Sequence, residues 1–102
     1  MQEVCSVDDL GEGEVEGFEV EDTKILIARV DGGFYSLDDV CTHAQCSLSD
    51  GWLEDRSVVC PCHSAKFDLE TGEVKRSPAD EPEPVHKVTV EGDRVMVELS
   101  DG

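Results

Sequence analysis

Four residues have the types and spacing to hold a metal: Cys41 with His43, and Cys60 with His63. Each pair offers one thiolate and one imidazole. Two cysteines and two histidines can hold a single zinc ion tetrahedrally. A zinc finger groups its cysteines on one arm and its histidines on the other, however, and here each arm is mixed. A binuclear iron–sulfur centre with cysteines on one iron and histidines on the other needs mixed arms, because both loops must then reach both irons. Ligand order favours iron and sulfur; a structural zinc module stays open as the second reading.

Loops that hold a metal need a frame, and the period of this chain is two rather than 3.6. Lys24 to Val30 (KILIARV) and Arg94 to Leu99 (RVMVEL) are β-rich runs, and the second follows the turn signal Glu91-Gly92-Asp93. Asp31-Gly32-Gly33 is predicted to turn the chain between KILIARV and FYSL, and Val85 to Val90 to pair with Val95 to Leu99. Strands before residue 37 must pair with strands after residue 84, since neither set alone buries its apolar face. The fold class is therefore all-β, a sandwich or barrel. One helical turn is expected at Ser6 to Leu10, capped by Ser6. Ser77 to Pro84 (SPADEPEP) is expected to be an irregular loop, because its prolines cannot join a central strand.

The chain has 102 residues, 38% of them hydrophobic and 32% charged, which suits one compact domain. Its longest apolar run, Ile25-Leu26-Ile27-Ala28, is far too short to span a membrane, and Met1-Gln2-Glu3 lacks the start of a secretory signal. A cytoplasmic protein is expected. Twenty-five Asp and Glu against 8 Lys and Arg give a net charge of −17, which argues against nucleic acid and anionic lipid as partners. Either adaptation to salt or steering toward a basic partner would account for it. The acids avoid the cysteines: Cys41 to Ser49 carry no charged side chain, and Cys60 to Phe67 only Lys66.

Five cysteines in so short a chain point to metal or redox chemistry. Cys5 stands apart and reads as a small buried hydrophobe. Cys60-Pro61-Cys62 is one residue short of a dithiol oxidoreductase motif. Trp52 and Phe34 read as core residues beside the metal loops, His86 as a surface or edge residue.

Cys41-Thr42-His43 followed by Cys60-Pro61-Cys62-His63 resembles the Rieske iron–sulfur motif. Leu48-Ser49-Asp50-Gly51, Phe67-Asp68 with Thr71-Gly72, Ser77-Pro78-Ala79 and Pro84-Val85 extend the resemblance nearly end to end, to the small soluble Rieske ferredoxins that feed electrons to bacterial oxygenases. The resemblance implies one Rieske domain over residues 1–102. An antiparallel β sandwich or barrel base, from residues 1–37 and 71–102, would carry a small cluster-binding subdomain of two loops at about 38–70. It implies one 2Fe-2S cluster as cofactor, with Cys41 and Cys60 on one iron and His43 and His63 on the other. No residue is expected to be catalytic. The implied role is a monomeric one-electron carrier between a flavin-dependent reductase and a terminal oxygenase, such as a ring-hydroxylating dioxygenase. A Rieske-like small subunit or accessory ferredoxin of another system, nitrite reductase or iron–sulfur assembly, is the alternative.

Cys46 and Cys62 look like the second cysteine pair of the Rieske proteins of cytochrome bc-type complexes, which implies a disulfide joining the two loops. Those high-potential proteins also carry a Ser and a Tyr, two and four residues after the second histidine, whose hydroxyls bond the sulfurs. Here Ala65 and Phe67 stand there. Without those donors the added electron is less stabilised, so a potential near roughly −150 mV rather than +300 mV is expected.

Overall fold

A computed structural model describes residues 2–40, 46–62, 64–76 and 82–99. Among the described residues ten strands form two antiparallel sheets. The base holds β1 (Gln2–Ser6), β2 (Val15–Val20), β3 (Thr23–Val30), β4 (Gly33–Asp38), β9 (Val85–Glu91) and β10 (Arg94–Glu98), in the order β1-β10-β9-β4-β3-β2. The two edges, β1 and β2, come back into contact, so the sheet nearly closes into a barrel. The smaller sheet holds β5 (Trp52–Glu54), β6 (Ser57–Val59), β7 (Lys66–Asp68) and β8 (Val74–Arg76) in sequential order. Both ends of the chain meet in the base, where β1 pairs with β10 and β4 with β9.

Two cores explain the hydrophobic pattern. Successive strand residues face opposite ways. In β3, Ile25 and Ile27 point into the barrel to meet Cys5, Leu10, Val95 and Val97, while Leu26, Ala28 and Val30 point out against the smaller sheet. A strand buried on both faces reads as an unbroken apolar run, which is why KILIARV does not alternate. The outward core also takes in Leu48, Val58, Cys60, Ala65 and Phe67, so the loops expected to bear the metal are seated on it.

The local signals fold as their chemistry requires. Ser6 caps a 3-10 turn over Val7–Asp9; its hydroxyl accepts the Asp8 N–H, and its own N–H donates to the Asp9 carboxylate. Arg29 donates to the Val7 and Leu10 carbonyls at 3.2 and 2.8 Å, tying this turn to the barrel wall. Asp31 and Gly32, both at positive φ, turn β3 into β4, with Val30 opposite Gly33. β9 and β10 pair from Arg94 opposite Glu91 to Glu98 opposite Lys87. Cys5 is buried as expected, and burial followed by the charges of Asp9 and Glu16 pushes its thiol up to about 11. Most of SPADEPEP lies outside the described residues.

Three side chains depart from the reading of the sequence. Trp52 is 46% exposed rather than core. It lies on the edge strand of the smaller sheet, on the face turned away from the outward core, and its indole N–H donates to Glu54 at 2.9 Å. His86 is buried rather than at the surface, because β9 lies between β10 and β4 and Asp38 supplies a polar partner there. Phe34 is core as expected but not beside the metal loops: it packs against the barrel core beneath the Arg29 guanidinium, at the start of β4, whereas the first loop leaves the other end of that strand.

Candidate metal centre

Two loops meet at the end of the molecule where β4 and β6 finish. The first leaves β4 at Asp39 and is closed by an isolated bridge between Val40 and Ser47, followed by a short 3-10 turn at Leu48–Asp50. The second leaves β6 at Cys60 and returns into β7 at Lys66. It is closed by the Cys60 N–H donating to the Ala65 carbonyl at 2.7 Å and the Ser64 N–H donating to the Cys60 carbonyl at 2.9 Å. Ser64 takes a positive φ to complete this turn, and its side chain is exposed.

The loops are joined covalently. Cys46 and Cys62 form a disulfide with their Cα atoms 6.4 Å apart. Cys60 takes no part in it and is completely buried, its side chain in the outward core with Ala65 and Phe67. A buried thiol beside a pair of tied loops fits an iron–sulfur cluster, because soft thiolates select such clusters and the apolar shell controls solvent access. Cys41, His43 and His63 lie outside the described residues. Their neighbours are placed: Val40 and Cys46 bracket the first two, and Cys62 and Ser64 bracket the third.

Gly51 shows how closely the loops pack. A Cβ there would sit within covalent distance of the Val59 carbonyl oxygen, so the turn after Leu48–Asp50 lies flat against the end of β6. Gly51 needs no unusual φ; close approach is what requires glycine. The outer face of the smaller sheet is charged but balanced. Glu54 accepts from Trp52, from Lys66 at 3.3 Å and from Arg76 at 3.5 Å, and these bonds, Trp52 first, hold its carboxyl below the usual range. Four of the eight basic residues, Arg56, Lys66, Lys75 and Arg76, fall within positions 56–76.

Residues 1–97 match the family model described as the Rieske [2Fe-2S] domain. The chain belongs to the Rieske family. Its cofactor is one Rieske-type 2Fe-2S cluster. The chain is 42% identical over 102 residues to the ferredoxin component of biphenyl 2,3-dioxygenase from Rhodococcus jostii (strain RHA1), covering 100% of this chain and 95% of that protein. The ferredoxin of carbazole 1,9a-dioxygenase from Nocardioides aromaticivorans IC177 superposes with a TM-score of 0.93 at 25% identity, covering 98% of this Rieske chain and 100% of that one. A chain in the complex of reduced oxygenase and oxidized ferredoxin of carbazole 1,9a-dioxygenase superposes at 0.89 with 33% identity, covering 94% and 99%. These relatives are electron-transfer components of dioxygenase systems rather than catalysts.

The sequence reading of this Rieske chain missed two residues that build the site. Asp39 is buried, and its carboxylate receives both the N–H and the hydroxyl of Ser49. Only its position, at the end of a strand just ahead of Val40-Cys41, pointed to it. Ser49 was visible only as part of the Leu48-Ser49-Asp50-Gly51 resemblance. Among the described residues no helix is long and apolar enough to cross a membrane.

Proposed function

We propose that this chain is a low-potential, monomeric, cytoplasmic electron carrier that takes one electron from a flavin-dependent reductase and delivers it to the terminal oxygenase of a ring-hydroxylating dioxygenase system. The observation that carries this reading is full-length identity of 42% to a dioxygenase ferredoxin component, on a fold whose two loops are tied at Cys46 and Cys62. Cys41 and Cys60 hold one iron and His43 and His63 the other, on a cluster-holding part of about residues 38–70; the smaller sheet runs on beyond it through β8, which was expected in the base. When bound, the cluster accepts and releases a single electron. The protein's own task is to hold it near the surface while keeping the cysteine side dry. Cys60, Ala65 and Phe67, all fully buried, form that dry wall.

The approach of partners follows from charge. The base is densely acidic along Glu12 to Asp22, whereas the loop segments carry almost no charge. A basic partner is drawn at long range by the acidic base, and a small uncharged contact at the loops gives the weak, short-lived encounter that electron transfer needs. Metal and sulfide analysis of the brown holo-protein tests the assignment. Two irons and two sulfides per chain are expected, and reduced holo-protein is expected to pass electrons to a purified dioxygenase oxygenase. One zinc and no visible absorbance would refute it.

A further inference from the structure

Asp39 sits where the first loop begins, two residues before Cys41, and it organises both ends of that loop. Its N–H donates to the Lys24 carbonyl on β3 at 3.0 Å, and its carbonyl accepts the Leu48 N–H at 2.6 Å. One carboxylate oxygen accepts the Ser49 N–H at 2.7 Å and the other the Ser49 hydroxyl at 2.8 Å. Four hydrogen bonds thus converge on one residue that is only 6% exposed. The third side of the pair is the bare backbone of Gly17 on edge strand β2. A Cβ at Gly17 would stand 2.7 Å from the Ser49 hydroxyl oxygen and 2.8 Å from an Asp39 carboxylate oxygen, closer than real Cβ atoms approach.

We propose that Asp39, with Ser49 and the glycine at 17, is a positioning clamp that fixes the first cluster loop to the barrel base independently of the Cys46–Cys62 disulfide. The two ties act in different places. The disulfide joins loop to loop and ties neither of them to the base. The Asp39–Ser49 pair ties the end of the first loop back to its start beyond β4, where the Asp39 N–H bonds β3 and Gly17 of β2 packs against the pair, and its bonds do not depend on thiol redox state. Bonds to an ionised carboxylate are the stronger class of hydrogen bond, and burial lengthens their hold. The inference rests on the ligand set proposed above, because the clamp matters to the metal only if Cys41 and His43 bind it.

The test uses intact holo-protein. Ser49→Ala keeps the backbone N–H and removes only the hydroxyl; Gly17→Ala presses a methyl group onto the same pair from another strand. Both variants are expected to keep the β-sheet circular dichroism and two irons per chain. Both should lose their colour to a ferrous chelator about tenfold faster, the factor that about 1.4 kcal/mol supplies. Both should show the same change in the electron paramagnetic resonance g-values of the dithionite-reduced protein, and Ser49→Thr should restore the parent values. Unmoved g-values and bleaching rates in both variants would overturn the clamp. So would loss of the sheet signal in Ser49→Ala, which would make the pair a determinant of the fold instead. Parent protein without iron and sulfide would overturn the ligand set and the clamp together, whereas normal parent iron with unmoved variants overturns the clamp alone.

Discussion

His86 Nε2 lies 2.7 Å from an Asp38 carboxylate oxygen, joining the middle of the C-terminal half of the barrel to the strand that leads into the first loop. The pair crosses the β4–β9 seam diagonally, since His86 faces Ser36 in the register and Asp38 lies two residues further along β4. His86→Ala removes a buried ring and leaves the Asp38 carboxylate short of a partner. The expected cost is about 2–3 kcal/mol, or a fall in melting temperature of roughly 10 to 20 °C by calorimetry, with the visible spectrum unchanged. His63→Ala is expected to do the reverse: the spectrum is lost or altered.

Ala65 and Phe67 are both completely buried around Cys60, and neither offers a hydroxyl. Ala65→Ser with Phe67→Tyr should therefore raise the midpoint potential, on the order of 100 to 250 mV if both new hydroxyls donate to sulfur. Voltammetry of the parent protein is expected to give a value below zero. A parent midpoint near roughly +300 mV, at the top of the Rieske range, would contradict the argument.

The disulfide acts on the loops rather than on the charge at the sulfurs. Replacing Cys46 and Cys62 by serine is expected to shift the midpoint less than the Ala65 and Phe67 pair does. It should lower stability by at most about 3 kcal/mol, since the closed loop spans 16 residues and a bound cluster already ties the same segments. Voltammetry and calorimetry on the same two variants decide between these effects.

Glu12 reaches across to the β3–β4 turn, where its carboxylate accepts the Gly32 N–H at 2.9 Å and the Asp31 N–H. These bonds, that from Gly32 first, hold its carboxyl below the ordinary 4.5. A carboxyl lowered in the folded state stabilises it above the unfolded pKa, and the effect is lost as pH falls through the folded value. Glu12→Gln should thus be less stable than the parent at pH 6, and the difference should shrink toward pH 3 in acid titrations followed by circular dichroism.

What was legible in the sequence depended on whether the signal was local. Ser6 and Asp9 announce their capped turn within four residues, and Asp31-Gly32 its hairpin within two. Membership of the Rieske family was legible because the type and spacing of its cysteines and histidines are themselves the signal. His86, Trp52 and Asp39 were not, because their environments are set by residues far along the chain. β9 is buried by strands on both sides, β5 is an edge only by its place in the sheet, and Asp39 meets Ser49 and Gly17 from two other elements. A histidine in a strand of alternating polarity reads as exposed until its neighbours are known. Gly51 belongs with them: what it accommodates is the Val59 carbonyl across the loop, a neighbour eight residues away.

The closing of the barrel by its own ends has a consequence for biosynthesis. β1 finds its sheet neighbour only in β10, and β4 gains its second neighbour only in β9. A ribosome releases the N-terminal strands first, at about 5–20 residues per second, so several seconds pass before the strands that complete the base exist. Until then the segments carrying the proposed ligands Cys41, His43, Cys60 and His63 hang on an unfinished support. The two loops therefore gain their finished support only once β9 and β10 have been made.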